Sequence, residues 1–67
     1  MFYEVYIDRY GESYFFHSYD NALDYAEGQL RRISNWTTDE IEEAVTRLEE
    51  DGYVENTIYL TERMFED

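Results

Sequence analysis

Hydrophobic and polar positions alternate from the start of the chain: Tyr3, Val5 and Ile7 fall on one side of an extended backbone, and Glu4, Tyr6 and Asp8 on the other. A period of two over residues 2–10 predicts a half-buried strand. Tyr10-Gly11-Glu12-Ser13 is a turn signal and Tyr14–Tyr19 a second, aromatic strand, so residues 2–19 are expected to form a hairpin. The period then changes. Ala22, Ala26, Leu30 and Ile33, with Leu23 beside them, recur at helical spacing, and Asp20 or Asn21 is placed to cap a helix running to Ile33. Gly28 inside it either weakens the helix, by about 1 kcal/mol relative to alanine, or allows close packing against the sheet.

A second helix is marked at both ends. Thr37 followed by Glu40 makes a capping box, with Trp36 and Ile41 at the two positions of a hydrophobic staple. Ile41, Ala44, Val45 and Leu48 form an amphipathic stripe, and Gly52 supplies a left-handed stop. Beyond it Tyr53–Glu55 and Thr57–Thr61 read as extended, either as one bulged strand or as a short strand followed by a longer one, and Arg63–Asp67 is expected to fray. The order β-β-α-α-β predicts one α+β domain over residues 1–67, an antiparallel sheet with two helices packed on one face.

Composition makes that core small and its surface unusual. A domain of this length buries only about 60% of the surface its unfolded chain exposes. The absence of Cys removes disulfides and thiolate zinc sites as reinforcement. Aromatic packing and self-association remain, and eight Tyr, four Phe and one Trp supply the rings. Seventeen carboxylates face five cations, all of them Arg, for a net charge of −12. Solubility of a small domain needs a net charge of only about 2–8 in magnitude, and the excess opposes compaction by self-repulsion. Disorder would account for the acids, but disordered chains are poor in aromatics, and here the acids are interleaved with Tyr, Phe, Ile and Val.

Catalytic chemistry finds little to stand on. His17 is the one histidine and lies in the aromatic strand, and Ser13, Ser18 and Ser34 have neither a glycine-rich elbow nor a partner His at a recognisable spacing. Carboxylates are so numerous that no single pair stands out, no glycine-rich phosphate loop exists, and Glu50-Asp51-Gly52 does not meet the calcium-loop spacing. The expectation is a protein that is not an enzyme and takes no cofactor or metal. Nucleic acid and anionic membranes reward clusters of Lys and Arg. The one such cluster, Arg31-Arg32, is placed to complement a helix dipole. The opening residues lack the basic and apolar regions of a secretory signal. No window approaches the roughly 20 apolar residues of a membrane span. A cytoplasmic location is expected.

The acids are the candidate site. Asp39, Glu40, Glu42, Glu43, Glu49, Glu50 and Asp51 fall on the second helix, with Arg47 the only cation there, and Asp20, Asp24 and Glu27 on the first. Residues three and four apart on a helix have Cβ atoms about 5–6 Å apart, comparable with successive phosphates on one strand of a duplex. Dipole stabilisation accounts for Asp39 and Glu40 at the helix start but acts the wrong way for Glu49, Glu50 and Asp51. The array is read either as a solvated face or as a binding surface for a basic, nucleic-acid-binding protein. Tyr6 and Tyr25, with Tyr10 and Tyr59, lie off the core stripes, placed to add interface contacts among the acids or to pack across strands on the open sheet face. A second copy covering that face would make a homodimer.

Size, charge, tyrosine content and rows of acids together resemble the small acidic phage-encoded inhibitors that imitate DNA, among them anti-restriction and anti-CRISPR proteins and inhibitors of uracil-DNA glycosylase and of the nucleoid protein HU. The resemblance implies a partner that normally grips nucleic acid. A second, local resemblance runs from Ile41 through Leu48-Glu49-Glu50-Asp51-Gly52-Tyr53-Val54 to Ile58-Tyr59-Leu60-Thr61-Glu62, which is similar to the end of a winged-helix domain. Its helix is acidic where a DNA reader would be basic, so that likeness implies a protein–protein role. The leading expectation is a DNA-mimic inhibitor; the alternative is a small acidic regulatory or structural interaction module.

Overall fold

The computed structural model describes residues 1–64. Its elements are β1 (Phe2–Ile7), β2 (Glu12–Phe16), α1 (Tyr19–Ile33), α2 (Thr38–Asp51), β3 (Tyr53–Val54) and β4 (Ile58–Arg63). The strands form one antiparallel sheet in the order β2-β1-β4-β3, so the first and last strands of the chain lie side by side at its centre. The architecture is the expected α+β class, and the segment after Gly52 resolves into a short strand followed by a longer one.

Alternation along β1 decides which face of the sheet is covered. Val5 and Ile7 are fully buried; across the sheet Val5 pairs with Leu60 and Ile7 with Ile58. Ala22, Ala26 and Leu30 of α1 and Ile41, Ala44 and Leu48 of α2 complete the core with Val54, which puts both helices on this one face. Alanines at two successive turns of α1 let its backbone approach the sheet. Each fully buried Ile, Leu or Val contributes roughly 1.5–3 kcal/mol.

Four local expectations change, and the first is that β1 ends at Ile7 and not at residue 10. The second strand runs Glu12–Phe16, not Tyr14–Tyr19. A tight turn with Gly11 at φ +64° sets Ile7 opposite Glu12, so pairing begins early and the strand ends early. Helix α1 is capped by Ser18 in place of Asp20 or Asn21: Ser18 is extended (ψ 133°) and its Oγ accepts the Asn21 N–H at 3.4 Å. Tyr19 is thereby the first helical residue, its ring edge-on to Tyr3 at 5.5 Å. Gly28 does not serve close packing, because it is exposed and a Cβ there would meet nothing within 4 Å.

Helix α2 carries the expected capping box, Glu40 N–H to Thr37 Oγ1 at 3.3 Å and Thr37 N–H to Glu40 Oε1 at 3.0 Å. It ends at Gly52, whose φ of +84° lets its N–H reach the Leu48 carbonyl at 3.0 Å. Of the segment expected to fray, Arg63 closes β4 in an ion pair with Glu4, and residues 65–67 lie outside the described residues.

Candidate functional site

Because one stripe of each helix is committed to the core, the remaining positions of α1 and α2 form an outer layer whose composition the fold leaves free. In that layer Asp20 and Asp24 are exposed and Glu27 is half-buried, at successive-turn spacing on α1. On α2, Asp39, Glu40, Glu42, Glu43, Glu49, Glu50 and Asp51 are all exposed. The two helices carry ten carboxylates against Arg31, Arg32 and Arg47, a net −7 out of the −12 of the whole chain.

These carboxylates are not equivalent. Glu40 is engaged by the Thr37 N–H and has a structural task. Glu43 lies 3.6 Å from Arg47 and Glu27 4.0 Å from Arg31, both exposed pairs one turn apart, worth about 0.3–0.5 kcal/mol each. Glu49, Glu50 and Asp51 close the last turn of α2, which contains no basic residue. There they face the negative end of the helix dipole, which disfavours each by about 0.3–1 kcal/mol at low salt. Helix α1 is built the ordinary way round, with Asp20 in its first turn and Arg31 and Arg32 in its last.

The acids of the two helices converge at Tyr19. Its phenol pKa is raised, first by burial and then by the charges of Glu49, from the end of α2, and Asp20, from the start of α1. A short connection of residues 34–37 folds the helices back on each other, so charges from both helices act on this one ring. Arg9 serves the opposite end, donating from Nη1 to the Ile33 carbonyl at 3.0 Å.

The tyrosines divide between the two expected roles and the core. Tyr6 is half-buried on the sheet face away from the helices, its ring 5.9 Å from Tyr59, so it does not join the helix acids. Tyr25 is not off the core: its ring packs 5.1 Å from both Tyr14 and Phe16 and covers one side of the hydrophobic cluster. Tyr14 donates to Glu12 at 2.5 Å, and this bond to a carboxylate is the main cause that pushes its phenol pKa up to about 12. Trp36, read from the sequence only as a staple position, stands exposed near the acids. At 37% exposure it lines an open groove with Glu40, Glu43, Ala44, Arg47 and Val54.

On the far sheet face Glu4 accepts from Ser13 Oγ at 2.6 Å and from Arg63 Nε at 2.9 Å. The Ser13 hydroxyl is the largest influence on this carboxyl and, with Arg63, lowers its pKa against the opposing effect of burial. His17 is exposed and borders an apolar hollow of about 350 Å³ with Phe2, Phe15 and Phe16. Among the described residues no group of three His, Cys, Asp or Glu side chains is arranged to hold a metal ion, and no helix is long and apolar enough to cross a membrane.

Fold and surface together define a small α+β domain with an acidic helix layer. Comparison with family models, with curated proteins and with solved structures finds no match for the chain.

Proposed function

We propose that the chain is a DNA-mimic protein that acts in the cytoplasm by occupying the basic nucleic-acid site of a partner protein, performing no reaction of its own. The observation that carries this reading is the uncompensated acidic end of α2 beside the acidic start of α1. Helix energetics disfavour Glu49, Glu50 and Asp51 where they stand, so their placement needs a reason outside the helix. Charge density supplies one. A helix rises 1.5 Å per residue, so α1 and α2 are each about 22 Å long. Ten carboxylates over that length give one per about 2.2 Å, and the net −7 one per about 3 Å. A duplex carries one charge per about 1.7 Å of axis and a single strand one per about 3.4 Å.

Affinity would come from desolvated ion pairs and on-rate from steering. Binding should therefore weaken steeply as ionic strength rises and should be competed by duplex DNA. Replacing Glu42, Glu43, Glu49 and Glu50 together by Lys should abolish inhibition of the partner while leaving circular dichroism unchanged. A folded quadruple variant that still inhibits at full strength would remove the acidic helix as the site.

The alternative, an acidic regulatory or structural module, draws its support from a different surface, the aromatic side of the sheet.

A further inference from the structure

Away from the helices, the sheet presents a face of a different kind from the rest of the molecule. Phe2 and Phe15 meet edge-on at 5.6 Å, and Tyr6, Tyr59 and Tyr53 run across three strands with ring centroids 5.9 and 6.1 Å apart. Phe15 is 61% and Tyr53 47% exposed. The only carboxylate that the paired strands place on this side is Glu4, and Arg63 neutralises it at 2.9 Å. A chain of net charge −12 thus carries −7 of it on the helix layer, and the paired strands keep one broad face locally neutral and rich in rings.

We propose that this face is covered by a second copy of the same chain, sheet against sheet about a two-fold axis. Charge decides the occupant. A basic partner finds no net charge here to pair with. A second copy brings an equally neutral ring surface, and the Glu4–Arg63 pairs are free to exchange across the axis. It also brings another −12, and the geometry keeps that charge distant. Packed sheets lie about 10 Å apart and each helix layer about 10 Å further out. The acidic layers would therefore stand about 30 Å apart, several times the roughly 8 Å Debye length at physiological salt. Association through the helices would instead bring the two −7 layers into contact.

The sheet also sets the strength. With strands about 4.8 Å apart and about 3.3 Å per residue, the face measures roughly 20 by 20 Å, so two copies bury on the order of 800 Å². That lies below the usual 1,200–2,000 Å² of stable complexes, so the dimer is weak and strongly concentration-dependent. This inference stands independently of the function proposed above. If both hold, the dimer displays two acidic layers facing opposite ways and engages two basic sites at once.

Sedimentation equilibrium of the whole chain from about 10 μM to about 1 mM tests it, at ionic strengths of about 0.05 and 0.5 M. A monomer–dimer equilibrium that tightens with salt is expected, opposite in sign to the salt response of a basic partner. Phe15→Glu and Tyr53→Glu alter exposed side chains, so circular dichroism should stay unchanged while dimerisation weakens about tenfold or more. A monomer at the highest concentration in both salts would overturn the proposal. So would a dimer that neither variant weakens, which would place the contact on the free edge of β2 or on the helices. Because no partner protein is present in the experiment, its failure leaves the DNA-mimic reading to its own test.

Discussion

Two glycines offer a sharp test of the backbone reasoning, because the same added methyl group should act in opposite directions. At Gly52 the residue sits at φ +84°, and a Cβ would lie 3.3 Å from the Leu60 carbonyl oxygen. The Gly52 N–H closes α2 on Leu48 at 3.0 Å and its carbonyl accepts the Leu60 N–H at 2.7 Å, so the residue ties the helix to the central strand β4. A left-handed conformation costs an L-residue about 1–2 kcal/mol, and the tight Cβ contact cannot be relieved without moving that strand. Gly52→Ala should therefore lose about 1–2 kcal/mol. At Gly28 the backbone is helical, the site is exposed, and a Cβ meets nothing. Gly28→Ala should gain about 0.8–1 kcal/mol.

A domain of this length holds roughly 3–10 kcal/mol in total, so both changes are measurable. Urea unfolding followed by Trp36 fluorescence and circular dichroism should show opposite shifts in midpoint with an unchanged m-value. Thermal midpoints should move about 4–8 °C per kcal/mol. A Gly52→Ala protein as stable as its parent would refute the left-handed cap, and a destabilised Gly28→Ala protein would refute the open, helical environment of Gly28.

Two further predictions concern ionisable groups outside the helix layer. Glu4 has a lowered pKa in the folded state, so its contribution is fully present above the ordinary value of 4.5 and is lost as pH falls through the folded value. Glu4→Gln should cost about 1 kcal/mol at neutral pH, since a hydrogen bond to a charged group is worth about 1.5–3 and the Arg63 pair is discounted for exposure. That difference from the parent should shrink in unfolding curves taken below pH 4.5, and a gap constant with pH would exclude the ionised carboxylate as its source. Tyr14, held near pKa 12 by Glu12, should be among the last phenols to ionise in an ultraviolet titration. Glu12→Gln should bring it down, and an unchanged profile would show that this bond does not form in solution.

The elements that could be read from the chain are those whose instructions are local. The Thr37–Glu40 box, the Ile41/Ala44/Leu48 stripe and the Gly52 stop lie within one helix and its two ends, and each stands where the sequence pattern predicts. The alternation of Tyr3, Val5 and Ile7 likewise needs no partner to be recognised. The misplaced boundaries occur where a local signal competed with a distant one. Tyr14–Tyr19 reads as an aromatic strand by itself, yet the Gly11 turn brings its start forward to Glu12 and the Ser18 cap ends it at Phe16. Tyr25 lay off the α1 stripe, but Tyr14 and Phe16 of the edge strand extend the core outward to meet it.

Local patterning by itself determined the helices, the buried side of β1 and the abundance of surface acid, because side-chain period and capping chemistry act over a few residues. Only the tertiary structure decided the rest. Pairing Phe2 with Arg63 across the length of the chain put β1 and β4 at the sheet centre, and with them Glu4 beside Arg63. The fold-back of α2 on α1 brought Glu49 and Asp20 to the same tyrosine. Neither juxtaposition has a local signature, since strand register and helix docking are set by burial of the common core. The separation of an acidic helix layer from a neutral aromatic sheet face is therefore a property of the folded molecule.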